Sequence, residues 1–165
     1  MSDLATPQIS AATAADLPEL VALLGVLFTQ EADFTPDPAR QERGLRMILA
    51  QPEAGRVNCL RAGGRVVGMV SLLFSISTAE GGRVAWLEDM VVHPDYRGQG
   101  LGEQLLRHAL AEARSLGCTR VTLLTDGDNF AAMRFYQRAG FTRSGMVPMR
   151  LQGPRDADFH AGGRL

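Results

Sequence analysis

The chain has 165 residues with 17 basic and 18 acidic side chains, giving a formal net charge of −1. That length suits one domain able to bury roughly 70% of its unfolded surface, and the charge balance argues against a general nucleic-acid binder. Every basic residue is arginine, which excludes Schiff-base chemistry and self-acetylation on a lysine side chain. Cys59 and Cys118 have neither paired nor CxxC spacing, so reduced thiols are expected rather than a disulfide framework or a zinc site, and no metal is expected. The N-terminus has no basic segment followed by an apolar run, and no window reaches the ~18 apolar residues of a membrane span. A soluble, cytoplasmic protein without a membrane partner is predicted.

Gln8 to Thr13 reads as a short opening strand. Thr13 or Asp16 can cap a following helix whose Leu17, Leu20, Val21, Leu24, Leu27 and Phe28 fall on one face. Thr29 to Pro38 interrupts the pattern with a loop rich in acid, Glu31, Asp33 and Asp37, before a second helix from Ala39 to Ala50. The period then changes to that of strands. Val57–Arg61, Val66–Ile76 and Val84–Val92 are separated by Gly63-Gly64 and Glu80-Gly81-Gly82, which predicts an antiparallel meander.

The third strand of the meander runs into His93-Pro94-Asp95-Tyr96, then Arg97-Gly98-Gln99-Gly100-Leu101-Gly102, and then a helix with Leu101, Leu105, Leu106, Ala109, Ala113 and Leu116 on one stripe, closed by Gly117. Glycines at a helix start leave backbone N–H groups uncovered, and the helix dipole with Arg97 adds positive charge, a suitable setting for a pyrophosphate. Position 103 is Glu103 where a dinucleotide fingerprint needs its third glycine or alanine, and a Walker loop needs a lysine the chain lacks. Arg120–Thr125 follows as a strand parallel to its predecessor, joined through the helix. Asp126 to Asn129 turns into a helix from Phe130 to Ala139, Phe141–Leu151 is a final strand, and Gly153–Leu165 is an aperiodic tail expected to be flexible. A single domain over 1–152 is therefore expected.

The Arg-x-x-Gly-x-Gly pattern of Arg97 to Gly102 resembles the acyl-CoA pyrophosphate loop of the GNAT superfamily of N-acetyltransferases. Asn129 to Phe141, with its Phe135-Tyr136 pair and terminal Gly140-Phe141, resembles the second signature of that family, about 30 residues further on. The resemblance implies an α+β fold with a mixed, mostly antiparallel central sheet, splayed between strands 4 and 5 and flanked by about four helices. It implies acetyl-CoA as acyl donor, with Met90, Val91 and Val92 offering fourth-strand backbone to the pantetheine arm, Arg97, Gly98, Gln99, Gly100, Leu101 and Gly102 holding the pyrophosphate, and Asn129 meeting the pantetheine from the other side. Tyr136 matches the position of the usual acid.

Transfer of acetyl to an alkylamine of pKa about 10.4 calls for a base at neutral pH. Glu88 and Asp89 are the acids of the central strand, and strand alternation lets only one face the cleft unless a bulge intervenes. Glu88 is preferred, because Leu87-Glu88-Asp89 is similar to polyamine-type members of the family, with Asp89 second. The expected activity is direct N-acetylation of a small cationic amine: a polyamine, an amino-acid-like amine or an aminoglycoside-type compound. The alternatives are acetylation of a protein N-terminus or lysine, and a CoA-binding regulatory module without turnover. A homodimer is the expected assembly.

Overall fold

The computed structural model describes residues 6–31 and 33–153. Five strands, β1 (Gln8–Ala11), β2 (Gly55–Ala62), β3 (Arg65–Ser77), β4 (Gly82–Val92) and β5 (Val121–Thr122), lie in that spatial order. The first four pair antiparallel and β5 joins β4 in parallel. Helices α1 (Leu17–Gln30) and α2 (Pro38–Ala50) cover one sheet face, and α3 (Leu101–Ser115) covers the other; α4 (Phe130–Arg138) completes the set. The α+β order, the meander and the parallel crossover agree with the sequence reading.

Strand alternation divides the core in two. Val57, Cys59, Val66, Met69 and Val91 pack under Leu17, Leu20, Leu23, Leu24 and Leu45 of the first two helices. Leu60, Val67, Val70, Leu72, Ala85 and Leu87 pack under Leu101, Leu105, Leu106, Ala109 and Ala113 of α3. Five of the six stripe positions expected on α3 are thus fully buried, because its 3.6-residue period keeps them on one side. Its far end is tied down by a 2.5 Å bond from buried Asn58 to Glu112. Burial pushes the Cys59 thiol up to about 12, so it serves as a small core residue.

α1 is held at its first turn by two polar contacts to the sheet. Glu19 accepts the Val66 N–H at 3.0 Å. Asp16 takes a two-pronged bond from Arg61, at 2.9 and 2.8 Å, and accepts the Thr13 N–H at 2.7 Å. The Arg61 bond is the main reason the Asp16 carboxyl sits lowered to about 2. A carboxyl held below its unfolded value contributes stability above pH ~4 that is lost as pH falls toward 2, here on the order of 2 kcal/mol. Asp16→Asn should therefore lower the urea midpoint at pH 7 by an amount corresponding to about 2–4 kcal/mol, with the difference from wild type narrowing at pH 3. An equal difference at both pH values would remove the ion pair as its cause.

One strand expectation is cut short and another fails. Only Val121 and Thr122 of the expected Arg120–Thr125 strand pair with β4. Phe141–Leu151 forms no strand: Val147, Met149 and Leu151 are 81%, 95% and 98% exposed. A strand exists only against a neighbour, β5 offers two residues of edge, and Pro148 lacks an N–H for a ladder. Arg150 instead reaches the α1–α2 connection, 3.5 Å from Asp33 and over the Phe34 ring at 5.9 Å. The tail from 154 onward, expected to be flexible, lies outside the described residues. Among the described residues no helix is long and apolar enough to cross a membrane.

Candidate active site

The sheet opens at the outer edge of β4. Its pairing with β5 stops at Ala85↔Val121 and Trp86↔Thr122, while β4 continues to Val92. His93 N–H bonds the Val67 carbonyl at 2.7 Å, so by ladder alternation Val91 also turns its backbone to β3, and Met90 and Val92 present theirs to the open side. Val91 is therefore not among the groups on the open edge. An unpaired row of donors and acceptors in mid-sheet is available to an extended ligand.

A bulge decides which side chains flank this edge. Met69 pairs with Val91 and Ser71 with Glu88, so Val70 alone opposes both Asp89 and Met90. Asp89 adopts a left-handed conformation, φ 52°, the sole non-glycine among the described residues with positive φ. The extra residue shifts the alternation: Leu87 packs on the α3 face before it, and Met90 and Val92 pack there after it. Glu88 and Asp89 consequently both lie on the α1 side, Glu88 opposite Ser71 and Asp89 beside the Ser71 hydroxyl. Burial first, then the charges of Glu88 and Glu31, push the Asp89 carboxyl up to about 7, against a lowering by Ser71.

Beyond Val92, a 3-10 turn over Pro94–Tyr96 leads into the glycine-rich loop. Gly98 and Gly100 have φ 74° and 75°, conformations a side chain strains, and Gly100 is the N-cap of α3. At Gly102 a Cβ would stand 3.7 Å from Phe135 and 3.8 Å from Val92, which brings the helix start close to β4 and α4. The N–H groups of Leu101, Gly102 and Glu103 have no acceptor within the helix and point outward with its dipole. Arg97 bonds the Val92 carbonyl through Nε at 2.9 Å, which sets its guanidinium at the end of the open edge. Gln99 is exposed in the same loop.

The opposite wall is α4. Asn129 caps it, its side-chain oxygen accepting the Ala132 N–H at 3.1 Å, so one end of that amide is already committed to holding the helix. Tyr136 stacks edge-on between Phe135 and Phe141, at 5.1 and 5.7 Å between ring centres. Burial, with the Glu31 charge adding to it, pushes its phenol up to about 12. Glu31 closes the acid side: it ends α1, and its carboxyl is raised by burial and by Asp126, Asp33 and Glu88. The sequence analysis puts Glu31 in the acid-rich connection after the first helix; the structure sets it at the end of α1, partly buried.

A cleft with an unpaired strand edge on one wall, a phenol on the other, a glycine-rich helix start at one end and carboxylates at the other can hold a thioester and an amine together. The comparisons with known proteins agree. A model of the Acetyltransferase (GNAT) family matches residues 19–141. The chain is 33% identical over 133 residues to an aminoalkylphosphonate N-acetyltransferase of Salmonella typhimurium, covering 81% of this chain and 83% of that protein. It is 39% identical over 97 residues to a glucosamine 6-phosphate N-acetyltransferase of Trypanosoma brucei brucei, covering 58% of this chain and 63% of that one. A solved acetyltransferase of Trypanosoma brucei superposes with a TM-score of 0.68 at 29% identity, over 88% of this chain and 99% of its own. From the splayed strand to the signatures on both of its walls, the chain belongs to the GNAT family of acetyltransferases.

Proposed function

We propose that the protein transfers acetyl from acetyl-CoA directly to the primary amine of a small cationic molecule. The observation that carries this is the β4 bulge, which sets two consecutive carboxylates on the α1 side of the open strand edge. When bound, acetyl-CoA supplies an acetyl group on a thioester and leaves as a thiolate. The loop from Arg97 to Gly102 receives its pyrophosphate, and the open edge at Met90 and Val92 pairs with its amide-bearing arm. Two left-handed glycines at the start of α3 fit a backbone-lined anion site.

Asp89, at about 7, accepts a proton from the acceptor ammonium near neutral pH, and the more exposed Glu88 holds the ammonium before that step. Tyr136 keeps its proton and donates a hydrogen bond to the sulfur as negative charge develops there. Direct attack by the amine fits the site, because Cys59 is buried in the core and Cys118 lies near the end of α3, with its thiol raised by burial. The two enzymes named above act on amines bearing phosphonate or phosphate; in this chain the acceptor side carries carboxylates instead.

Thiol release from acetyl-CoA against a panel of amines, with mass spectrometry of the products, tests the proposal. Acetylated amine and stoichiometric free thiol are expected; tight CoA binding with no product from any amine would leave only a binding module. Arg97→Ala should weaken CoA affinity by about 5- to 50-fold, the loss of one charge-assisted contact, as read by calorimetry. An unaltered affinity would overturn the loop assignment.

A further inference from the structure

Four polar side chains are fully buried among the described residues: Asp16, Gln41, Asn58 and Ser71. Three of them have evident structural tasks. Asp16 holds Arg61, Gln41 donates to the Val21 carbonyl and Asn58 to Glu112. Ser71 has none: its hydroxyl is sealed from water and forms no hydrogen bond of full geometry with any described group. From Val66 to Phe74 the rest of β3 is Val, Gly, Met, Leu and Phe. An apolar side chain at position 71 would avoid the cost of burying an unpartnered hydroxyl.

Its place in the sheet supplies a task. The register sets Ser71 directly opposite Glu88, at the edge of the bulge, on the α1 side with Met69. Asp89, inside the bulge, has no cross-strand partner in register and a left-handed backbone, so the ladder does not fix where its carboxylate points. That carboxyl stands beside the Ser71 hydroxyl. Glu88 of β4 and Glu31 at the end of α1 act on it by their charges, and both disfavour its ionised form; on the α4 side, Asp126 and Tyr136 couple to Glu31. Ser71 acts in the opposite sense and favours the ionised form. A hydroxyl donating to a carboxylate makes a stronger bond than one donating to a neutral acceptor, so ionisation of Asp89 is what draws the Ser71 proton to it.

We infer that Ser71 is a positioning residue for acetyl transfer: its hydroxyl donates to the ionised Asp89 carboxylate, holds one carboxylate oxygen at the sheet and leaves the other turned to the acceptor amine. This rests on the reading of Asp89 as the group that takes the proton of the amine. Ser71 makes and breaks no covalent bond. Its proton stays on the hydroxyl throughout, and the proton from the ammonium goes to the free Asp89 oxygen. The bulge then has two effects, turning Asp89 to the α1 side and bringing it beside Ser71.

The test follows the Asp89 carboxyl itself. In protein labelled with carbon-13 at aspartate side-chain carboxyls, with the resonance assigned by its loss in Asp89→Asn, Ser71→Ala should raise the titration midpoint of Asp89 by about one pH unit, the loss of one hydrogen bond to the charged form. The rising limb of kcat/KM for amine acetylation should move with it. The rate at pH 6.5 then falls about tenfold, the gap narrows above pH ~8.5, and the KM for acetyl-CoA stays unchanged. Ser71→Cys, similar in size and a weaker donor, should lie between wild type and Ser71→Ala on both measures. A merely structural role for Ser71 would change melting temperature without moving either midpoint. A titration unmoved in Ser71→Ala and Ser71→Cys overturns the inference and leaves the base assignment standing. A titration that moves without the rate limb shows the bond but overturns the base assignment, and the positioning role with it.

Discussion

Asp89→Asn is expected to lower kcat for amine acetylation by about 10²- to 10⁴-fold while making the protein more stable at pH 8. The activity loss follows from removing the group that can accept a proton near neutral pH. The stability gain follows from the opposite side of the same fact. A carboxyl near 3.8 in the unfolded chain and raised to about 7 in the fold is neutral in both states below pH ~4, so it has no cost there. As pH rises from 4 the unfolded state ionises first, and the native state loses stability progressively until pH 7, to a total on the order of 2–4 kcal/mol. Asn carries no charge and tolerates φ near +52°, so the bulge is kept.

Thermal melts should therefore show no advantage for the variant at pH 4 and the largest at pH 8. A constant difference across that range would mean that Asp89 does not titrate in it. In the wild type, kcat/KM should rise with pH through about 7 as Asp89 deprotonates, and that limb should vanish in Asp89→Asn. Such a site trades stability for function, and the bulge enforces the trade by turning two neighbouring carboxylates to one side.

Tyr136→Phe is expected to reduce kcat by about 10²-fold, the scale of losing one donor aimed at developing charge, with little change in the KM for acetyl-CoA. A phenol raised to about 12 is a weaker acid than a thiol near 8.5, so complete proton transfer to the departing sulfur is uphill by ~5 kcal/mol. Donation of a hydrogen bond has no such cost, since the proton stays on oxygen. The penalty in Tyr136→Phe should shrink for thioesters whose thiols are more acidic, because less charge on sulfur then needs stabilising. A penalty independent of the leaving thiol, or a full rate in the variant, would remove Tyr136 from the sulfur. The fold should be indifferent to the change. The ring keeps its packing on Phe135 and Phe141, and the hydroxyl bonds no described residue.

The parts of the fold that rest on local rules were legible from the chain. The apolar stripe of α3 predicts the buried set Leu101 to Ala113, because helix period alone decides which side chains share a face. The glycine pairs at Gly63-Gly64 and Gly81-Gly82 predict the hairpins, since three of these four residues have positive φ. The short length of the fifth strand and the absence of the expected sixth were not legible. Leu123, Leu124 and the stretch from Phe141 have strand-like composition, yet pairing stops at Thr122 because a strand requires a neighbour and β4 diverges there.

The site divides in the same way. Sequence alone determined its chemical inventory: the glycine-rich loop after β4, the Asn129 to Phe141 signature, the absence of lysine, and the candidate carboxylates and phenol. These are properties of residue type and spacing, which backbone geometry and ionisation chemistry translate directly. Tertiary structure decided how the inventory is used. Whether Glu88 or Asp89 faces the cleft could not be answered by alternation, because one residue opposed by two, a pairing between distant strands, sets both on the same side. Glu31 joins them only because α1 is long enough to carry it there, and its charge raises both Asp89 and Tyr136 through space. Proton affinities at this site are set by burial and by charges from separate segments of chain, quantities that come into existence only when the chain is folded.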